Sequence, residues 1–294
     1  MRNRKMKRID GKAHAQTIYQ ELAQEVEKMV HKPHLVIVQV GNHPASEAYI
    51  RGKMAAANQV GIHAVIANFP GTITQEQLIN ELECFNQDSN VHGIIVQLPL
   101  PDTFDEHRIA QTIAREKDVD GFHPANLGEL LIHETDLEPC TPKGIIELCR
   151  REQISLQGKH VVIVGRSNIV GKPVALLALQ ANATVTVCHS QTQNLSALTQ
   201  LADILIVAVG RANFITAEMV KTDAIVIDVG INRIAGKLVG DVDFHDVEKK
   251  VRAITPVPGG VGPMTVAMLM TNTVVAAKNQ SKENAFLCAN HQKK

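Results

Sequence analysis

The chain is poor in aromatic side chains: its 294 residues include two Tyr, seven Phe and no Trp. An excess of one charge is also missing, because 30 Lys and Arg balance 30 Asp and Glu. Together these shortages remove the basic field and the stacking platforms on which nucleic-acid binding rests. No apolar run reaches the ~18 residues of a membrane span, so no membrane partner is expected. The opening stretch, MRNRKMKRID, is basic, but no apolar segment follows it. It is expected to be a frayed basic tail rather than a secretory signal. Cysteine pairing is absent too. Cys84, Cys140, Cys149, Cys188 and Cys288 are scattered, odd in number and form no C-x-x-C, which fits reduced thiols in a cytoplasmic protein. The thirteen His show no H-E-x-x-H or comparable spacing, so no metal is expected.

What is present is an alternation of buried strands and amphipathic helices, which argues for an α/β fold with parallel sheets. Apolar content is 45%, enough for sizeable cores, and the length suits one large or two ordinary domains. Asp10 to Val30 reads as a helix and Leu35 to Val40 as a strand. A helix from Ser46 to about Val60 stops before Gly61, and Ala64 to Phe69 is a short strand. Thr74 to Asn86 reads as a helix capped by Thr74 with Gln77 three residues on. Gly93 to Leu98 is a buried strand stopped by Pro99, and His107 to Ala114 is a short helix. Lys117 to Phe122 reads as a charged turn. Thr141 and Pro142 read as cap and first position of the next helix, and the domain change is placed there. Strands at 160–164, 184–187, 204–209 and 224–228 follow. Thr255 to Pro263 reads as a rigid loop. Met264 to about Lys278 is a helix too apolar all round to lie on a surface, and a polar tail starts at Asn279.

The stretch HVVIVGRSNIVGKP, His160 to Pro173, organises the second half. A β-branched run ends at Gly165, a polar turn follows, and Gly171 and Pro173 open a helical stretch. Strand, glycine turn and helix can present backbone N–H groups to a phosphate. The two glycines enclose five residues, unlike G-x-G-x-x-G, so a tight structural turn is a second reading. A P-loop is a third, but the spacing misses by one residue and Pro173 stands where the Mg²⁺-binding hydroxyl belongs. A second strand ends at Cys188-His189-Ser190. NAD enzymes place a carboxylate near this point for the ribose 2′-OH, yet no Asp or Glu occurs between Gly165 and Asp203. Arg166 and Ser190 instead suit a 2′-phosphate, so the expected cofactor is NADP.

Several residues are candidates for chemistry. Tyr49 and Lys53 are four apart on one helix face, among small alanines. A desolvated Lys there can act as base or acid; a solvated Lys beside a packed Tyr is the alternative. The same Tyr-x-x-x-Lys spacing in short-chain dehydrogenases follows the nucleotide motif, whereas here it precedes it. Gln97, followed by Leu98, ends a buried strand, where polar groups reach a ligand crevice or are satisfied by the loop. Asp118 and Asp120 read as paired acids, a metal site or a solvated turn. Pro258 to Pro263 combines fixed prolines with glycines that let another surface approach, which suits a ligand.

Taken together, these stretches resemble the bifunctional methylenetetrahydrofolate dehydrogenase/methenyltetrahydrofolate cyclohydrolase family. The matching segments are Pro44-Ala-Ser-x-x-Tyr49-x-x-x-Lys53, Gly93-Ile-Ile-Val-Gln-Leu-Pro-Leu-Pro101, Lys117-Asp-Val-Asp-Gly121, Pro139-Cys-Thr-Pro-Lys-Gly144, Val164-Gly-Arg-Ser-x-x-Val-Gly-x-Pro173, Asp228-Val-Gly-Ile-Asn232 and Thr255-Pro-Val-Pro-Gly-Gly-Val-Gly-Pro-Met-Thr265. They keep the family order and cover nearly the whole chain. The resemblance implies two α/β domains with a cleft between them. Residues 1–143 would form a folate-binding catalytic domain, with the helix of 264–294 packing back on it. Residues 144–263 would form a Rossmann-like NADP domain. It also implies a homodimer and the short bacterial form.

By the same resemblance Lys53 is the catalytic group, Tyr49 lies against the folate rings and Gln97 orients Lys53. Asp120 binds the pterin, and Leu98, Pro258, Gly259 and Thr265 line the folate pocket. Gly165, Arg166, Ser167, Ser190 and Ile231 hold NADP. The implied chemistry is oxidation of 5,10-methylenetetrahydrofolate, then hydrolysis to 10-formyltetrahydrofolate. Gly52 and Asn42 depart from the commoner family residues, at positions with no implied role. Another NADP-dependent dehydrogenase and a non-catalytic nucleotide sensor are the competing readings. The first lacks a His–Asp or Arg pair at a matching place.

Overall fold

The computed structural model describes residues 6–41 and 44–291. Expectations for Met1 to Lys5 and for Asn42 lie outside the described residues. The first half runs β1 (Lys7–Arg8), α1 (Gly11–Glu27), β2 (His34–Val40), α2 (Pro44–Val60), β3 (His63–Phe69), α3 (Gln75–Gln87), β4 (Gly93–Val96), α4 (Glu106–Thr112), α5 (Pro124–Ile132) and α6 (Cys140–Arg151). The second runs β5 (His160–Val164), α7 (Gly171–Gln180), β6 (Thr184–Cys188), α8 (Leu195–Thr199), β7 (Ile204–Val207), β8 (Ile225–Asp228), β9 (Asn232–Ile234), β10 (Lys237–Val239), α9 (Phe244–Val247), β11 (Ala253–Ile254) and α10 (Val261–His291).

The chain divides into two compact units, Met1–Gln16 with Thr141–Thr265, and Thr17–Cys140 with Val266–Lys294. The amino-terminal segment therefore groups differently from a boundary at residue 143. The reason is backbone pairing: Lys7 and Arg8, expected in a frayed tail, pair in parallel with Ala253 and Ile254.

One unit holds a parallel sheet in the order β3-β2-β4. β2 is central and buried on both faces, which is why its sequence LVIVQV is nearly continuous in apolar residues. Val36, Val38, Leu78, Leu82, Ile94 and Ile109 form its core. α3 starts with the expected capping box: Thr74 N donates to Gln77 Oε1 at 2.9 Å and Gln77 N to Thr74 Oγ1 at 3.3 Å. The other end of α3 is capped from outside. Buried Lys117 donates to the carbonyls of Phe85, Asn86 and Asp88 at 3.1, 2.7 and 2.7 Å. A cation at orphan helix carbonyls is favourable. Lys117 and Asp118 thus lie inside, not on a solvated charged turn. α10 also differs from expectation, since it continues past Asn279 to His291.

At the amino ends of this sheet three imidazoles meet. The His34 and His63 rings are 4.6 Å apart, and His34 N donates to His92 Nδ1 at 3.1 Å. Burial, and then neighbouring histidines, lowers the pKa of both His34 and His92 below 6.5. Protonating His92 Nδ1 removes the acceptor of the His34 amide. Because the unfolded chain takes these protons more readily, stability present above the ordinary value of about 6.5 is lost as pH falls below it. Thermal unfolding of the wild type is therefore expected to weaken more between about pH 7.5 and 5.5 than that of His92→Asn, whose Oδ1 accepts without titrating. Equal pH dependence of the two proteins refutes this.

The other unit holds a parallel sheet ordered β1-β11-β8-β7-β5-β6. From β5 the chain goes by α7 to β6 on one side, then returns to β7 on the other side of β5. Ligands bind outside the carboxyl ends of strands at such a reversal. A β9–β10 hairpin, absent from the sequence reading, turns on Ala235 and Gly236, both at positive φ.

Candidate active site

In the three-stranded unit, α2 buries Ile50, Ala56, Ala57 and Val60, and Tyr49 and Lys53 continue that same face toward the amino end of the helix, where burial is lighter. Tyr49 is 41% exposed, and Lys53 is half-buried. Lys53 Nζ donates to Gln97 Oε1 at 3.0 Å. Gln97 follows β4 and is held from both ends. Its N–H donates to Val38 O at 2.8 Å, prolonging the ladder, and its Nε2 donates to Leu98 O at 2.6 Å. The amide oxygen is thereby left facing the amine. Burial pushes the Lys53 pKa down, opposed first by the charge of Asp120 and then by the neighbouring Cys140.

Asp120 is the counterpart. Burial raises its pKa to about 6, Lys53 opposes that rise, and Asp118 adds to it. The two carboxyls have separate tasks. Asp118 accepts from Gly121 N at 3.1 Å, His123 N at 2.7 Å and Asn126 Nδ2 at 2.9 Å, so it closes the loop. Asp120 instead interacts electrostatically with Lys53. Among the described residues no group of three or more His, Cys, Asp or Glu is placed to hold a metal ion.

Two residues near this cluster were not singled out from sequence. The Cys140 thiol lies within reach of two acceptors, Val119 O at 3.2 Å and the Asp120 carboxyl, between which its one proton is shared. Asn272, fully buried on α10, donates to Val119 O at 3.0 Å and Glu138 O at 2.8 Å, tying the 117–121 segment to the 138–140 segment. The available signal was the single amide in the predominantly apolar stretch from Met264 to Ala277, since a buried amide requires partners. Thr141 is not a cap. α6 starts at Cys140, and the Thr141 hydroxyl instead meets Thr265 Oγ1 at 2.9 Å.

In the six-stranded unit, Gly165 has φ +135 and its missing Cβ would lie 2.2 Å from Ala208 O. A Cβ on Gly171 would lie 2.3 Å from Gly165 O. Only glycine lets the strand end, the turn and α7 pack this closely. α7 begins at Gly171, the residue at which the sequence opens the helical stretch. Its first amides are not left bare, because Val170 N and Gly171 N donate to Ser167 Oγ at 3.2 and 3.3 Å. Ser167 orders the turn, and Arg166 and Ser190 are exposed. They leave the carboxyl ends of adjacent strands, two residues beyond the paired Val164 and Cys188. A cation and a hydroxyl at neighbouring strand ends, with no carboxylate in the segment, fit a phosphorylated ribose.

Ile231, 45% exposed, follows β8, and Pro258 and Gly259 belong to the same unit. The glycines of the loop are partly occupied by the chain itself. Gly11 packs on Gly260, where a Cβ on Gly11 would lie 1.9 Å from Gly260 O. Gly259, with φ +106, accepts from Lys12 N at 3.0 Å. The loop is shorter than expected, since α10 starts at Val261 and takes in Gly262 and Pro263. Lys53, Tyr49, Gln97, Leu98 and Asp120 thus belong to one unit, and Pro258, Gly259, Thr265 and the nucleotide candidates to the other.

Comparison with known proteins matches one family model to each half of the chain. Residues 9–120 match the tetrahydrofolate dehydrogenase/cyclohydrolase catalytic domain, and residues 139–281 that family's NAD(P)-binding domain. The bifunctional protein FolD of Brevibacillus brevis is 53% identical over 279 residues, 94% of this chain and 98% of the relative. A crystal structure of the bifunctional enzyme FolD, methylenetetrahydrofolate dehydrogenase/cyclohydrolase, from Campylobacter jejuni superposes with a TM-score of 0.91 at 47% identity, covering 93% of this chain and 99% of that one. The Trypanosoma brucei methylenetetrahydrofolate dehydrogenase-cyclohydrolase, complexed with NADP cofactor and inhibitor, gives 0.88 at 38% identity, covering 93% and 98%.

Proposed function

Because the chain belongs to the tetrahydrofolate dehydrogenase/cyclohydrolase family, and so oxidises 5,10-methylenetetrahydrofolate with NADP and hydrolyses the methenyl product, we propose that Lys53 performs the proton transfers of the hydrolytic step. The observation that carries this is the desolvated amine held 3.0 Å from Gln97 Oε1 beside Asp120. Lysine is useful as a base only when neutral, and burial brings that form within reach. Neutral Lys53 takes a proton from the water that adds to the methenyl carbon. The ring then opens to 10-formyltetrahydrofolate, and the proton released overall leaves from the ammonium. A cationic intermediate beside Lys53 favours its neutral form further.

Gln97 positions the amine, Tyr49 lies against the folate rings, and Asp120 binds the pterin. Leu98, Pro258, Gly259 and Thr265 contribute to the folate pocket. NADP, when bound, supplies the hydride acceptor for oxidation of the bridging methylene carbon. No proton need leave that carbon, so the residues act by positioning. Gly165 and Ser167 shape the turn that receives the dinucleotide, Arg166 and Ser190 meet its 2′-phosphate, and Ile231 lies along it. A homodimer and a cytoplasmic location complete the proposal. The location is supported by the cysteines, which are scattered, odd in number and form no C-x-x-C, as fits reduced thiols.

The test is the pH profile of hydrolysis. The rate rises with pH as Lys53 loses its proton. Asp120 is the largest influence opposing burial at that amine, so Asp120→Asn shifts the rising limb to lower pH and leaves the NADP KM unchanged. A limb that stays in place separates Lys53 from the step.

A further inference from the structure

The nucleotide end of the six-stranded sheet is built from the turn at Gly165 and from the loops after β7 and β8. The latter two share one buried anion. Asp241 lies on neither loop; it follows β10 and is fully buried. Its Oδ2 accepts from Val209 N at 2.6 Å and Gly210 N at 2.9 Å, and its Oδ1 from Arg211 N at 2.9 Å and Asn232 Nδ2 at 2.8 Å. Three successive amides converging on a carboxylate form the concavity with which backbones bind external anions. Here the anion is internal, and it joins the loop after β7 to the residue next to Ile231.

Asp241 is itself held in place. Asp228, at the end of β8, accepts from Asp241 N at 2.9 Å, Val242 N at 3.0 Å and Gly230 N at 2.9 Å. Thr255 Oγ1 accepts from Asp228 N at 2.8 Å. Two glycines make room for the pair: a Cβ on Gly230 would lie 2.3 Å from the Asp241 carboxyl, and one on Gly240 would lie 1.8 Å from Asp228 Oδ2. Burial raises the Asp228 pKa to about 6, opposed by the three amides. Two carboxylates are thus placed side by side in the interior and supplied with backbone donors. A hydrophobic pair would hold the sheet but would leave these loop amides without partners.

We propose that Asp241 is a positioning residue for the dinucleotide site, holding the loops after β7 and β8 in the conformation that receives NADP while touching neither cofactor nor substrate. The inference rests on the reading that Ile231 and the Gly165–Ser167 turn hold NADP. It assigns a task to a segment, Gly240 to Val242, that the site otherwise leaves unused. The hydrolytic step needs no NADP, and its proposed proton-transferring group, Lys53, belongs with Gln97 and Asp120 to the other unit, so the protein carries its own control.

The experiment compares Asp241→Asn, Asn232→Ala and Arg166→Ala in the full-length protein, measuring NADP KM, dehydrogenase kcat and NADP-independent hydrolysis of the methenyl substrate. Asp241→Asn is expected to raise the NADP KM by about tenfold or more, as when buried amides lose their acceptor, and Asn232→Ala by less. Hydrolysis should stay within about twofold in both. If Asp241→Asn does not fold, Asn232→Ala decides alone. An unchanged NADP KM in the folded variants overturns the proposal, as does hydrolysis falling in step with oxidation, which marks a general structural role. Arg166→Ala tests the underlying reading separately. If it leaves the NADP KM unchanged while Asn232→Ala raises it, the cofactor assignment of the Gly165 turn fails and the role of Asp241 stands.

Discussion

Lys53→Met is expected to lower the rate of methenyltetrahydrofolate hydrolysis by about 10²- to 10⁴-fold, the range supplied by one general acid–base group. The substitution keeps most of the side chain's length and removes the titrating nitrogen. Three features make the effect large. The amine is desolvated, which brings its neutral form toward working pH. It is aimed by Gln97, whose own orientation is fixed by backbone on both sides. And Asp118, the neighbouring carboxyl, is fully engaged in closing its loop. NADP affinity should be unaffected, because the nucleotide candidates lie in the other unit. Stopped-flow loss of the methenyl chromophore measures the first quantity, and a fluorescence titration with NADPH the second. Hydrolysis persisting at the wild-type rate would falsify the role given to Lys53.

The second large effect is expected at Gly165. Its φ of +135 is closed to side chains, and an added Cβ would lie 2.2 Å from the carbonyl oxygen of Ala208. That neighbour is backbone of the adjacent strand end and cannot swing away. Forcing a side chain into such a conformation costs about 1–3 kcal/mol before the clash is relieved. Relief requires the turn to move away from β7, displacing Arg166 and opening the contact with Gly171. Gly165→Ala should therefore raise the NADP KM by at least about tenfold, since each 1.4 kcal/mol is a factor of ten. Hydrolysis of the methenyl compound should remain within a small factor of wild type. Dehydrogenase and cyclohydrolase assays on one preparation read both outcomes. A Gly165→Ala enzyme with wild-type NADP kinetics would show that the turn is structural only.

The contrast between these experiments reflects how the fold separates tasks. One parallel sheet ends at Gln97 and the Asp120 loop, and the other ends at the Gly165 turn and the loops gathered by Asp241. In each unit part of the site stands just past the carboxyl ends of strands: Gln97 in one, Arg166 and Ser190 in the other. There the ladder stops, and polar side chains meet solvent or ligand instead of a neighbouring strand. Asp118, Lys117 and Asp228 show the companion pattern. Each is a buried charge that completes backbone hydrogen bonds and so shapes a loop that another residue uses.

Much of this was legible from the sequence because it rests on local rules. The runs at Leu35, Val161 and Ile204 announced buried parallel strands by their unbroken apolar character. Thr74 and Gln77 marked a helix start by their spacing. The missing carboxylate between Gly165 and Asp203 indicated the phosphorylated dinucleotide, and Tyr49 and Lys53 were placed on one face by helix periodicity alone. The tertiary structure decided what depends on distant partners. It separated Asp118 from Asp120, which the sequence could read as paired acids, because only folding shows that the first accepts from three loop donors while the second meets the Cys140 thiol and the charge of Lys53. It placed β1 beside β11, some 245 positions later, through backbone hydrogen bonds that carry no side-chain signature. It also brought Asn272 to Val119 and Asp241 to Val209, since a buried polar group finds its partner through packing rather than through neighbours in the chain.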